Sequence, residues 1–377
     1  MEHHDDGKTM VIEVKKTAER ISKEEDITLT HSSLFPVKPK KNSFFRNPLA
    51  LAGTLLLLLI VAVSLLISGI GNAPPEPVET TLPTTEELTP PPTEPVFSHH
   101  VSGIPEALHV TSDVRSEFAL LVETDSMKAV AAKNANERMY PASLTKIMTF
   151  LVAYDALSDR LDKQLTLTKE IHNQYPEGSR VFKDDDIGDL LTVEQCMYAM
   201  LLQSDTDSVL MLVKETAGNE TAFAALMNAK AQEFGLTATH FTNANGLHHK
   251  DHYTTPAEMA VIFAEALKNE LFHTILTTHT YVTFLGYYKN GSYATYRMTF
   301  FNTTLKNRFE GNNISLELAN GLSIIGGKTG FTDEAGNCQA ALATDASGKE
   351  YIAILGNASS AKVSATDTAT LYKNYIK

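Results

Sequence analysis

Apolar residues along this chain fall into two textures. From residue 49 to residue 70 the run LALAGTLLLLLIVAVSLLISGI is apolar on every side and carries no charge. As a helix rising ~1.5 Å per residue it would span about 33 Å, enough to cross a bilayer core. From residue 98 onward apolar positions instead alternate or recur at helical spacing, as in a half-buried globular domain. FALLVET (118–124) and MKAVAAK (127–133) read as a strand pair turning at Asp125-Ser126. Leu144, Ile147, Met148, Leu151 and Val152 mark one face of a helix that Ser143 opens. Thr192 and Gln195 form a capping box ahead of CMYAMLL, helical runs at 207–217 and 220–234 end at Gly218 and Gly235, and another run opens at Thr255-Pro256. SIIGGKTG, NCQAALAT and EYIAILG read as strands, the last two joined by a turn at 345–348, and a helix over 364–375 closes the pattern. Strands at both ends with helices between predict a mixed α/β fold. An antiparallel sheet is sandwiched by helices, with a helical insertion and a cleft where the insertion meets the sheet edge.

Charge orients the apolar run. Lys38, Lys40, Lys41 and Arg46 precede it, and beyond it no Lys or Arg occurs until Arg115, whereas Glu76, Glu79, Glu86 and Glu87 do. The positive-inside rule then predicts a cytoplasmic tail (1–47), a single transmembrane helix (48–70) and an extracytoplasmic remainder. A cleaved signal peptide fits less well, because nearly fifty residues precede the run and Pro74-Pro75 follow its one Ala-ending candidate site. Residues 71–97, dense in Pro, Thr and Glu, read as a semi-rigid spacer before an extracytoplasmic domain at 98–377. A net charge of -13 argues against nucleic acid as a partner. Two cysteines, Cys196 and Cys338, are too few for a disulfide framework, leaving one bridge or two separate buried thiols.

The candidate chemistry begins in RMYPASLTKIMTF. Ser143 and Lys146, three apart on a helix, share a face, with the helix N-terminus close to the hydroxyl. For the lysine to act as a base near neutral pH its pKa must fall, by burial or by a second cation. The pattern alone is weak, since Ser359-Ser-Ala-Lys362 repeats it. Lys328-Thr329-Gly330, on a glycine-rich strand, offers an edge for an extended anionic substrate and a cation that could depress Lys146. His248, His249 and His252 invite a zinc reading, but Gly246, Lys250 and Asp251 point to a loop and no carboxylate completes a ligand set. No metal and no cofactor are expected.

YPASLTKIMT, LLTVEQCMYAMLLQSDTDS, HFTNANGLHHKDHYTTPAEMA and GGKTGFTDEAGNC stand in the order found in penicillin-interacting serine hydrolases. From about Glu117 onward the chain resembles the low-molecular-mass D-alanyl-D-alanine carboxypeptidases, the peptidase S11 family. The resemblance implies a β-lactamase/transpeptidase-like fold and an enzyme that trims the terminal D-alanine of peptidoglycan stem peptides and is inhibited covalently by β-lactams. It implies Ser143 as nucleophile, Lys146 as base and Ser204 as the relay that carries a proton to the leaving amine. It further implies an oxyanion hole from the N–H groups of Ser143 and Phe331, with Lys328, Thr329 and Gly330 binding the substrate end. Two departures stand out. The middle motif, usually Ser-x-Asn, reads Ser204-Asp205-Thr206, so Thr206 takes the substrate-facing place without an amide. The arginine that many relatives carry before the last helix is missing, and Lys362 is the nearest substitute for gripping the carboxylate. The N-terminal helix is expected to replace the C-terminal amphipathic anchor of many relatives. Two rivals remain: a β-lactamase, for which no E-x-x-L-N segment is found, and a homologue that binds muropeptides without turnover.

Overall fold

The computed structural model describes residues 100–376, so the expected tail, membrane helix and spacer lie outside the described residues. Among the described residues no helix is long and apolar enough to cross a membrane.

In strand β2 (Phe118–Glu123) successive side chains point to opposite faces of a sheet, and both faces are covered. Phe118, Leu120 and Val122 join one core cluster with Ile147, Met148 and Phe150, whereas Ala119 and Leu121 join another with Leu371 and Tyr372. The sheet holds six strands: β1 (Leu108–His109), β2, β3 (Lys128–Lys133), β8 (Ser323–Thr332), β9 (Gly336–Thr344) and β10 (Glu350–Ala358), in the order β1-β3-β2-β10-β9-β8. All its pairings are antiparallel except β1 with β3. Strands from the two ends of the domain thus meet at β2 and β10, as the sequence pattern predicts, and β8 is left as an edge.

Helices fill the middle: α1 (Thr145–Leu157), α2 (Lys169–Gln174), α3 (Val193–Gln203), α4 (Thr206–Ala217), α5 (Glu220–Glu233), α6 (Pro256–Leu267) and α7 (Glu270–Thr277). The capping box at Thr192–Gln195 and the left-handed Gly218 that ends α4 form as expected. A second sheet was not foreseen: β4 (Gln164–Thr166), β5 (Leu190–Thr192), β6 (Thr280–Lys289) and β7 (Ser292–Phe301). Its long hairpin turns at Asn290-Gly291, both in the left-handed region, which is a hairpin signal in its own right. Its strands are only half-buried, so their alternation is faint in hydrophobicity.

The final helix, α8 (Ala361–Tyr375), lies on the other face of the main sheet. Its buried Asp367 Oδ2 accepts bonds from the backbone N–H groups of Arg115 (3.0 Å) and Ser116 (2.7 Å) and from the Ser116 hydroxyl (2.7 Å). One carboxylate therefore ties the end of the chain to the entry of β2. Replacing it leaves three donors unsatisfied in a dry place. Asp367→Ala is expected to cost about 2–4 kcal/mol in urea unfolding; an unchanged midpoint would contradict this tie.

Candidate active site

Ser143 sits in a short 3-10 turn, Ala142–Leu144, that leads into α1. Ala142 just before it has φ +47°, a conformation that favours glycine. Two glycines press against this corner. A Cβ on Gly246 would lie 1.9 Å from the Ala142 carbonyl oxygen, and one on Gly330 would lie 3.0 Å from the Ser143 nitrogen. The turn is thus clamped between the 243–247 loop and the edge strand β8. The loop is shaped by Asn243, whose Oδ1 accepts the N–H groups of Asn245 (3.1 Å), Gly246 (2.7 Å) and Leu247 (3.1 Å).

Lys146 follows one turn later and is only 2% exposed. Its Nζ lies 3.1 Å from Ser143 Oγ and donates to the Asn245 carbonyl at 2.8 Å. Burial brings the ammonium down to about 7, against the opposing pull of Asp205 and Glu220. Of the two agents the sequence left open, burial is the cause, and Lys328 is not among the groups that lower it. Repulsion between the two cations appears instead at Lys328, which burial and the charges of Lys146 and Arg308 push well below its ordinary value. Lys328 is fully buried and donates to the Thr329 carbonyl (2.9 Å), and Phe331, three residues after Lys328, is 58% exposed.

Ser204 ends α3 in a left-handed conformation with φ +60°, and its buried hydroxyl has no hydrogen-bond partner among the described residues. Asp205 then caps α4: its carboxylate accepts Ser208 N–H (2.7 Å) and Val181 N–H (2.8 Å), while burial raises it to about 6. Thr206 lies buried beneath the loop that precedes β5. A Cβ on Gly178 would lie 2.6 Å from its Oγ1, and its N–H donates to Ser179. Gly178 thus closes over the third motif position. Lys362 sits exposed in the first turn of α8.

The three histidines occupy different settings. His252 is buried, with Nδ1 accepting Thr242 N–H (3.1 Å), so Nε2 carries the proton and donates to Thr145 Oγ1 (2.8 Å). Burial drives it down to about 3 and keeps it neutral. His248 packs edge-on against Tyr140 at the rim, 3.8 Å from Glu334, and His249 is exposed beside Asp251. Both cysteines are buried free thiols, as one of the two sequence readings has it.

Several supporting residues were not singled out from sequence. Glu220 accepts Ala244 N–H (3.1 Å) and the Tyr175 hydroxyl, joining the loop behind Lys146 to the segment leading to Gly178. Asn243 carried a usable signal, an Asn ahead of a glycine turn. Arg308 carried none, because it stands twenty residues before Lys328 and reaches the strand through an irregular turn.

The profile of the D-alanyl-D-alanine carboxypeptidases, peptidase S11, matches residues 105–360. The chain is 31% identical over 249 residues to the D-alanyl-D-alanine carboxypeptidase DacF of Bacillus subtilis, covering 65% of this chain and 59% of that protein. It is 28% identical over 261 residues to DacA of Escherichia coli, covering 68% of this chain and 58% of that protein. It therefore spans under two thirds of the length of these relatives. The crystal structure of the Streptomyces K15 DD-transpeptidase superposes with a TM-score of 0.59 at 27% identity, over 69% of this chain and 97% of that one. With two thirds of its length matched by the family profile, this chain belongs to the peptidase S11 family of D-alanyl-D-alanine carboxypeptidases.

Proposed function

We propose that this protein is a serine D-alanyl-D-alanine carboxypeptidase, inhibited by penicillins, working on peptidoglycan stem peptides outside the membrane that residues 48–70 would anchor it to. The observation that carries this reading is the buried Lys146 amine 3.1 Å from Ser143 Oγ, beneath the Lys328-Thr329-Gly330 strand.

A neutral Lys146 keeps one N–H on the Asn245 carbonyl and turns its lone pair to the Ser143 hydroxyl. Ser143 Oγ attacks the carbonyl carbon of the penultimate D-alanine while its proton passes to Nζ. The oxyanion that forms is held by the N–H groups of Ser143 and Phe331. Gly330 supports this geometry, since with no side chain β8 approaches the Ser143 nitrogen closely. The proton then moves by way of the Ser204 hydroxyl, which has no hydrogen-bond partner among the described residues, to the leaving D-alanine amine. Water hydrolyses the resulting ester. Thr206, closed over by Gly178, is assigned no contact with the substrate.

Intact-mass spectrometry of residues 98–377 with benzylpenicillin tests the reading. A lasting adduct is expected, absent from Ser143→Ala. An adduct that vanishes within seconds would mark a β-lactamase instead, and none at any concentration a binding protein. The pH profile follows from Lys146, whose lowered pKa leaves it unprotonated above about 7. On a D-alanyl-D-alanine peptide kcat/KM should rise about tenfold per pH unit below 7 and level off above it. An acid limb that continues to pH 10 would contradict the assigned base. Gly246→Ala would place a methyl 1.9 Å from the Ala142 oxygen, displacing the nucleophile turn. Acylation should fall about 100-fold; an unaltered acylation rate would show that the clamp does not position Ser143.

A further inference from the structure

Three cations lie in or beneath this cleft, and the partners of all three are neutral. Lys146 donates to Ser143 Oγ and Asn245 O, Lys328 to Thr329 O, and Arg308 to Asn337 Oδ1 (3.2 Å) and Ser364 Oγ (2.6 Å). Among the described residues no carboxylate lies within ion-pair distance of any of them. Burying charge without a counter-ion is costly. A group that stays charged here, with no carboxylate at ion-pair distance among the described residues, leaves its balancing anion to come from outside.

The three are not equivalent. Burial holds both lysines below their ordinary values, whereas it brings the Arg308 guanidinium down only to about 10, so it stays charged at neutral pH. Arg308 is therefore the permanent positive charge present before a substrate arrives.

Its placement is defined by the strand ladder. Arg308 belongs to the π-helical turn Thr304–Phe309, which packs on β8 where Gly327 leaves room: a Cβ there would lie 2.9 Å from Thr304 Cγ2. Gly327 and Thr329 are two apart on the strand and share a face. Lys328 takes the other face, opposite Ala340 of the cluster that contains α1. Across the ladder Gln339 pairs with Thr329 and Asn337 with Phe331. Arg308 bonds Asn337 directly and reaches Gln339 through Ser364, whose Oγ is 3.4 Å from Gln339 Oε1. The guanidinium thus lies at the ladder positions opposite Thr329 and Phe331, and Lys328 feels its charge.

We propose that Arg308, reaching the edge strand from the face opposite the catalytic lysine, is the specificity-determining cation that holds the terminal carboxylate of the bound peptide beside Thr329. It does so in place of Lys362, which is exposed on α8. This inference rests on the carboxypeptidase reading. A guanidinium offers the planar pair of donors that a carboxylate accepts, which a lysine cannot.

The test compares one peptide ending in D-alanyl-D-alanine as its free acid and as its C-terminal amide, with wild type, Arg308→Gln, Arg308→Lys and Lys362→Gln. In Arg308→Gln the acid-over-amide preference in kcat/KM is expected to fall about 10- to 100-fold. Should the Gln variant fail to fold, Arg308→Lys keeps the charge but loses the fork, and its preference should fall by a smaller factor. A structural role alone would slow both substrates alike. The inference is overturned by an equal loss on acid and amide, by an unchanged preference in both Arg308 variants, or by loss of preference in Lys362→Gln. If wild type cleaves neither peptide, it is the carboxypeptidase reading that fails.

Discussion

The site depends on keeping one lysine dry. Among the described residues Lys146 has no carboxylate at ion-pair distance, and two neutral oxygen atoms hold its amine. In water such a group is an ammonium and useless as a base; here burial brings its two protonation states near balance at pH 7. Much of the surrounding structure serves that burial. The 243–247 loop brings up the Asn245 carbonyl, and Asn243 and Glu220 hold that loop in shape. The edge strand lies across the top with glycine at its closest point.

Distant carboxylates set a limit on this discharge. Asp205 and Glu220 both favour the charged form of Lys146, while each carries a structural duty, one as a helix cap and one as a loop tie. Asp205 is itself raised to about 6 by burial. A less acidic motif would leave the lysine more easily neutral but would lose the cap of α4 and the anchor for Val181. Strain accompanies the same arrangement: Ala142, just before the Ser143 turn, and Ser204, at the end of α3, both take left-handed backbone conformations. Such residues persist only where neighbours over-determine them. Here the neighbours are Gly246 and Gly330 at the first corner and the capped start of α4 at the second.

Much of this was legible beforehand. The strands at both ends and the capped helices between them follow from short apolar runs, helical spacing and capping residues, because the strands are buried on both faces and read as continuous apolar segments. The β6–β7 hairpin escaped because its exposed face carries Val282 and Phe284 as well as polar residues, blurring the alternation. Ser143, Lys146 and Lys328 were visible as local motifs; the first two lie 3.1 Å apart, and Lys328 feels the charge of Lys146. What the motifs could not convey was burial. That Thr206 is covered depends on Gly178, nearly thirty residues earlier, and the cause of the Lys146 shift depends on loops that share no motif with it. Arg308 was invisible for the same reason, since only the packing of a π-helical turn against Gly327 brings it to the strand.

The most direct test is to titrate Lys146 itself. Lysine labelled with carbon-13 at Cε, incorporated into residues 98–377 and assigned by comparison with Lys146→Arg, reports each amine by NMR without any substrate. A midpoint near 7 for Lys146 is the predicted result. A midpoint near the ordinary lysine value of about 10.4 would mean the amine is a charged ammonium at neutral pH and that burial does not make it the base.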